Sequence, residues 1–199
     1  MSAKQTYLLL YNSLCTLLWL HILLTTITAF TSTSLTTTYT TLEPWTRWTQ
    51  TLAAIEVLHA ATGITRAPVF TTFTQAFGRC VQVWAINYAF PEVTASSWAY
   101  PSMLFAWSVA DVVRYLYFVF LLARGSVPDV LKWMRYSLFF GLYPIGIASE
   151  WWMMFHAANV TTSALVMGIF YFFLALYVPG SPMMFSYMIK QRRKILARS

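Results

Sequence analysis

At 199 residues, 58% hydrophobic, 18% aromatic and only 10% charged, the chain lacks the charged surface of a soluble domain, where about a quarter of residues carry charge; it reads as an all-α integral membrane protein. A net charge of +7 does not make it a nucleic-acid binder, because the basic residues sit in connectors and in the tail KQRRKILARS rather than on one face. Cys15 and Cys80 fall in apolar runs with neither CxxC nor metal-ligand spacing, which argues against a disulfide framework and supplies no metal ligand set.

In chain order, six stretches come close to the roughly 20 apolar residues that cross a bilayer. They are residues 7–30, 48–64, 70–90, 98–122, 131–155 and 163–189. The first is too long for a signal-peptide core and has no clear cleavage site, so a retained anchor is expected. The Thr-rich stretch 25–49 reads as a polar exoplasmic loop, and the second span is the shortest. The later connectors TRAPV, PEVTASS, ARGSVPDV and HAANVTT carry the Pro, Gly, Ser and Thr of chain breaks. The expectation is a single six-span domain over residues 1–199 that ends in a basic tail, 190–199.

Six spans put both termini on one side, and Lys and Arg decide which. With the termini cytosolic, ten basic residues fall on cytosolic segments: Lys4, Arg66, Arg124, Lys132, Arg135, Lys190, Arg192, Arg193, Lys194 and Arg198. Only Arg47 falls opposite, while Arg79 and Arg114 lie inside spans. Asn159-Val160-Thr161 is then a lumenal glycosylation sequon very close to the membrane.

Charged groups at bilayer depth cost at least about 2.5–3.5 kcal/mol each, so they face the bundle interior and pair. Glu56 and His59, and Asp111 and Arg114, are three residues apart, and Gln75 and Arg79 are four apart, so each couple shares a helix face. Tyr143 and Glu150 are seven apart, nearly two turns, and also share a face. Counted from the cytosolic ends, Arg79, Asp111, Arg114 and Tyr143 fall at similar depth and Glu150 deeper, which predicts one polar layer built from four helices. Ion pairs that stitch helices together explain Asp111–Arg114 equally well, and Glu56–His59 reads best as a mutually satisfied buried pair. Glu150 is different. Its own span offers no cation nearer than Arg135, about four turns away, so it must find one on another helix or hold its proton. Such a carboxylate suits proton transfer.

These blocks resemble a known family. The segments YLLLYNSLCTLLW, LAAIEVLHAATGITRAPVFTTFTQAFGRCVQVW, WSVADVVRYLYF, LKWMRYSLFFGLYPIGIASEWWMM and SYMIKQRRKIL follow the order of the very-long-chain (3R)-3-hydroxyacyl-CoA dehydratases of the endoplasmic reticulum, formerly called protein-tyrosine-phosphatase-like proteins. The family often has Glu where this chain has Asp111, a carboxylate one carbon shorter. The resemblance implies that Tyr143 and Glu150 are the catalytic pair. It also implies dehydration of a very-long-chain (3R)-3-hydroxyacyl-CoA to the trans-2-enoyl-CoA, the third step of the fatty-acid elongation cycle. The expected location is the endoplasmic reticulum membrane. The expected partners are the acyl-CoA, membrane lipid and the other elongation enzymes, the ketoacyl-CoA synthase and the reductases.

The old family name does not describe the chemistry here. A cysteine phosphatase needs a thiolate six positions before a phosphate-binding Arg, and in HAATGITR, residues 59–66, that position is Ala60. Dehydration instead needs a base for the weakly acidic C2 proton and an acid for the departing hydroxide. Glu150 suits the base and Tyr143 the acid, with the reverse assignment left open. Arg114 or Arg79 could meet the enolate-like charge on the thioester oxygen or could hold the pair in place, with Asp111 and Gln75 in support. Arg66, Lys132 and Arg135 are candidates for the CoA phosphates. The reaction changes no oxidation state, so no metal or redox cofactor is expected. A proton or ion transporter and an idle scaffold of the elongation enzymes are the competing readings; the absence of internal repeats argues against the first and the Tyr143/Glu150 pair against the second.

Overall fold

The computed structural model describes residues 2–32 and 34–197, so Arg198 of the basic tail lies outside the described residues. The described residues form helices and no strand. In order these are α1 (Ala3–Ser32), α2 (Leu35–Ala53), α3 (Ile55–Ala61), α4 (Val69–Val81), a π-helical segment (Gln82–Tyr88), α5 (Pro91–Thr94), α6 (Ala99–Arg124), α7 (Asp129–Ser137), α8 (Phe139–Val160) and α9 (Ala164–Leu196).

Three helices, rather than the expected six, are long and apolar enough to cross a membrane by length and composition: α1 over Ala3–Thr31, α6 and α9. The others fall short for identifiable reasons. Thr dilutes the hydropathy of α2, α4 hands over to the π segment after Val81, and α8 carries Tyr143, Pro144, Glu150 and His156.

The polar loop expected over 25–49 is instead helical over most of its length. The hydroxyls of Thr38, Thr46 and Thr51 donate to carbonyls four residues back, at 3.0, 2.8 and 2.8 Å. A Thr that returns its hydroxyl to its own backbone carries no unmet polar group, so it can sit in a helix and be buried, as Thr38 and Thr46 are. Arg47, expected on a lumenal loop, lies within α2. It pairs with Glu43 at 2.9 Å and stacks 4.0 Å from the Tyr88 ring. The stretch expected as the fifth span, 131–155, is covered by two helices, α7 and α8, joined at Leu138. The basic tail continues α9 as helix to Leu196.

The long helix α6 is central and packs along α1 on one side and α8 on the other, while α8 packs along α9. The buried residues of α8 are 146, 149, 150, 153, 154, 157 and 158, one helical stripe. Gly146, Ser149, Ala157 and Ala158 within it are small, which allows the close backbone approach that membrane helices use in place of a hydrophobic driving force. On α6, Tyr100, Met103, Leu104, Trp107, Asp111 and Tyr115 form a buried stripe, and Trp107 on it meets Glu150 of α8. Gly125, at φ 72°, ends α6 in a left-handed cap, its N–H donating to the Leu121 carbonyl.

Candidate active site

A cavity of about 370 Å³ opens among α6, α7, α8 and α9, and Arg79 reaches it from α4. Arg79, Asp111, Arg114, Arg135, Tyr143 and Glu150 all line it. Of the polar layer expected from four helices, Arg79, Asp111, Arg114, Tyr143 and Glu150 share this cavity, and Arg135 joins them. Gln75 does not: α4 buries no residue, and Gln75 is exposed one turn before Arg79. Arg66 and Lys132 are also absent from the lining, whereas Arg135 is present.

Glu150 is buried, and neutral donors hold both of its oxygens. The Trp107 indole N–H donates to Oε1 at 2.8 Å, and the Tyr177 hydroxyl donates to Oε2 at 2.9 Å. Among the described residues no cation forms an ion pair with it, so the sequence question is answered by hydrogen bonding rather than by a counter-charge. The backbone fits around this arrangement at Gly146. A Cβ there would lie 3.7 Å from Glu150 Oε1 and 3.8 Å from Trp107 Cδ1, so a longer side chain would grow against the carboxylate. One turn earlier on the same face, Tyr143 donates its hydroxyl to the Ser181 carbonyl of α9 at 3.2 Å.

The charges form their own chain beside this pair. Arg79 meets Asp111 at 2.6 Å, Arg114 meets Asp111 at 3.0 Å, and Arg114 meets Glu56 at 2.7 Å. Two cations and two carboxylates balance. The Arg79 guanidinium lies 4.0 Å from the Trp107 ring, which couples the ion chain to the donor of Glu150. The Nε–H of Arg79 is buried and has no acceptor among the described residues. Arg135 has no carboxylate partner there either; three aromatic rings, of Tyr117, Phe118 and Tyr136, lie 4.5, 4.6 and 5.6 Å from its guanidinium, and its Nε is buried and unpartnered.

Glu56 and His59 are not the mutual pair expected. Glu56 accepts from Arg114 and from the Tyr115 hydroxyl, while His59 bonds the Tyr7 hydroxyl at 2.8 Å. Three residues apart on a helix places two side chains on one face but does not choose between them and better-placed partners on α1 and α6. Sequence reasoning missed Trp107, Tyr177 and Gly146 as parts of the site. Trp107 was accessible, since it stands four residues before Asp111 on the same face of α6. Tyr177 carried no such signal among 12 tyrosines. No group of three or more His, Cys, Asp or Glu side chains among the described residues could hold a metal ion.

An all-helical, apolar fold with a buried carboxylate and a phenol on one cavity wall describes a membrane enzyme of the protein tyrosine phosphatase-like class, whose family model, "Protein tyrosine phosphatase-like protein, PTPLA", matches residues 50–198. The chain belongs to this family. It is 36% identical over 211 residues to the very-long-chain (3R)-3-hydroxyacyl-CoA dehydratase PASTICCINO 2 of Arabidopsis thaliana, covering 98% of this chain and 95% of that one. It is 36% identical to a probable very-long-chain (3R)-3-hydroxyacyl-CoA dehydratase of Schizosaccharomyces pombe, covering 98% and 95%. The human very-long-chain (3R)-3-hydroxyacyl-CoA dehydratase 2 is 31% identical, covering 97% and 82%. No solved structure matches the chain.

Proposed function

We propose that this chain is a very-long-chain (3R)-3-hydroxyacyl-CoA dehydratase, a hydro-lyase of fatty-acid elongation, and that Tyr143 and Glu150 perform the reaction. Its similarity over nearly full length to proteins named for that activity supports the reaction. The observation that carries the residue assignment is their shared cavity: a phenol and a carboxylate two turns apart on α8 line one space.

The geometry favours one division of labour. An indole N–H can only donate, so Glu150 Oε1 accepts, and the Tyr177 hydroxyl donates to Oε2. Two donors aimed at two oxygens suit a carboxylate acting as base. Glu150 takes the C2 proton of the 3-hydroxyacyl thioester, and the C2–H electron pair becomes enolate-like charge on the thioester oxygen. That electron pair returns to form the C2–C3 double bond as the C3–O bond breaks, and Tyr143 gives its proton to the departing hydroxide. The products are the trans-2-enoyl-CoA and water. Arg79, which lines the cavity, brings a positive charge near the developing charge on the thioester oxygen.

The lining of the cavity suggests what it takes from the substrate. Met134, Leu138, Phe139, Leu142 and Ile147 give an apolar wall for the acyl tail. Arg135, uncompensated and near the start of α8, suits the CoA phosphates better than Arg66 or Lys132, which stand off the cavity. This orientation fits six crossings with cytosolic termini, in which α2 with α3, α4 with the π segment, and α8 complete the set begun by α1, α6 and α9. The endoplasmic reticulum membrane, and association there with the ketoacyl-CoA synthase and reductases, are the corresponding location and partners. The reading is tested by supplying a (3R)-3-hydroxyacyl-CoA to the purified protein in nanodiscs and following the trans-2-enoyl-CoA by mass spectrometry. Formation of enoyl-CoA by the wild type and at least about a hundredfold less by Tyr143→Phe is expected, the usual size of a general-acid contribution. No enoyl-CoA from folded wild-type protein would overturn the reading.

A further inference from the structure

Glu150 is gripped from two helices, and the second grip comes from a residue outside every motif that marks the site. Tyr177 sits on α9, 27 residues beyond Glu150, and its hydroxyl lies 2.9 Å from Oε2. It does not line the cavity, whereas Tyr143 does. Its proton faces the carboxylate rather than the space where a hydroxyl would leave. Tyr177 therefore stands behind the base.

The next turn of α9 engages the other member of the pair. Ser181, four residues after Tyr177, offers its carbonyl to the Tyr143 hydroxyl at 3.2 Å. Between them lie Pro179 and Gly180, and Pro182 follows. Proline removes backbone N–H groups and distorts the regular ladder, so this turn of α9 is set apart from the helix around it. Two successive turns of α9 thus touch both candidate catalytic side chains, through a donor to Glu150 and an acceptor from Tyr143.

We infer that Tyr177 is a positioning residue for the dehydration: its hydroxyl fixes Glu150 Oε2, so that, with Trp107 on Oε1, the carboxylate is held in one orientation toward the substrate C2. The inference rests on the reading of Glu150 as the base. A carboxylate at the end of three side-chain torsions, held by only one donor, would sample several orientations, and misplacement of a reacting group lowers turnover more than binding. The tyrosine ring also fills space among Glu150, Tyr143 and the core, so the hydroxyl must be tested separately from the ring.

Tyr177→Phe removes the hydroxyl and keeps the ring. Turnover should fall about tenfold to a hundredfold, the effect of misplacing a reacting group, with KM nearly unchanged and the protein still folded in detergent. In a Glu150→Gln background the same change should cost almost nothing, because the group it positions is gone. A purely structural tyrosine would lower activity by the same factor in both backgrounds, and that result would overturn the inference. A second readout needs no turnover. A hydrophobic carbodiimide should modify Glu150 severalfold faster in Tyr177→Phe, where Oε2 is released, as read by mass spectrometry of the peptide; an unchanged rate would also overturn it. Full turnover in folded Tyr177→Phe beside an inactive Glu150→Gln would remove the positioning role and leave the base in place. Near-normal turnover of Glu150→Gln would instead remove the base itself.

Discussion

Replacing Arg114 by Met tests whether the balanced ion chain holds α3 to α6. Arg114 joins Asp111 at 3.0 Å and Glu56 at 2.7 Å. Asp111 keeps Arg79 at 2.6 Å after the change, so it is not stranded. Glu56 keeps only the Tyr115 hydroxyl and loses its cation. Removing one partner of a fully buried pair costs roughly 3–5 kcal/mol, and an exposed pair is worth about 0–1 kcal/mol. The side chains of Arg114 and Glu56 are 32% and 24% exposed, between these limits. We therefore expect a loss of about 2 kcal/mol in Arg114→Met, intermediate between those two cases. Adding Glu56→Gln removes the uncompensated charge and should restore about 1 kcal/mol, so the double variant is more stable than Arg114→Met alone. The assay is equilibrium unfolding of the four proteins of this cycle in one detergent. A double variant destabilised by the full sum of the singles, or an unchanged Arg114→Met, would refute the ion-chain reasoning.

In the folded protein Gly146→Val should lower turnover by at least tenfold, because the new methyls grow from a Cβ 3.7 Å from Glu150 Oε1; equal activity in a folded variant would show that the space between Tyr143 and Glu150 is not where substrate sits. Tags at both termini should be cut by protease added outside sealed microsomes, and protection of either would rule out the six-crossing arrangement. Asn159 should stay unglycosylated: its side-chain N–H donates to the Phe155 carbonyl at 2.8 Å and its Oδ1 accepts from Tyr171 at 3.1 Å, so a mobility shift removed by glycosidase would contradict that packing.

How much of this was legible in the sequence follows from which residues are rare. Charges are scarce in this chain, so Arg79, Asp111, Arg114 and Glu150 stood out, and their helical spacing placed them on common faces. Aromatic residues are abundant, so Trp107 and Tyr177 looked like core and their polar atoms went unnoticed. The long apolar runs of α1, α6 and α9 were plain, because nothing in them competes with helix. α2 was hidden, because a run of Thr has the composition of a loop until its hydroxyls are seen returning to carbonyls one turn back. Gln75 failed for a different reason: sharing a face with Arg79 says nothing about where along α4 that face begins to be covered, and the long Arg79 side chain reaches Asp111 from a helix that buries nothing of its own. Pairing was the least legible level, since Glu56 and His59 each found a closer partner on another helix.

The most direct test of the account is single-turnover dehydration of a (3R)-3-hydroxyacyl-CoA by Glu150→Gln beside the wild type in the same nanodiscs. The substitution keeps the shape of the side chain and removes its capacity to accept the C2 proton. The account predicts formation of trans-2-enoyl-CoA slowed by about a hundredfold or more, the usual general-base contribution, with the thermal midpoint retained. Near-wild-type dehydration by a folded Glu150→Gln protein would contradict it, and would make Glu150 a structural carboxylate held by Trp107 and Tyr177.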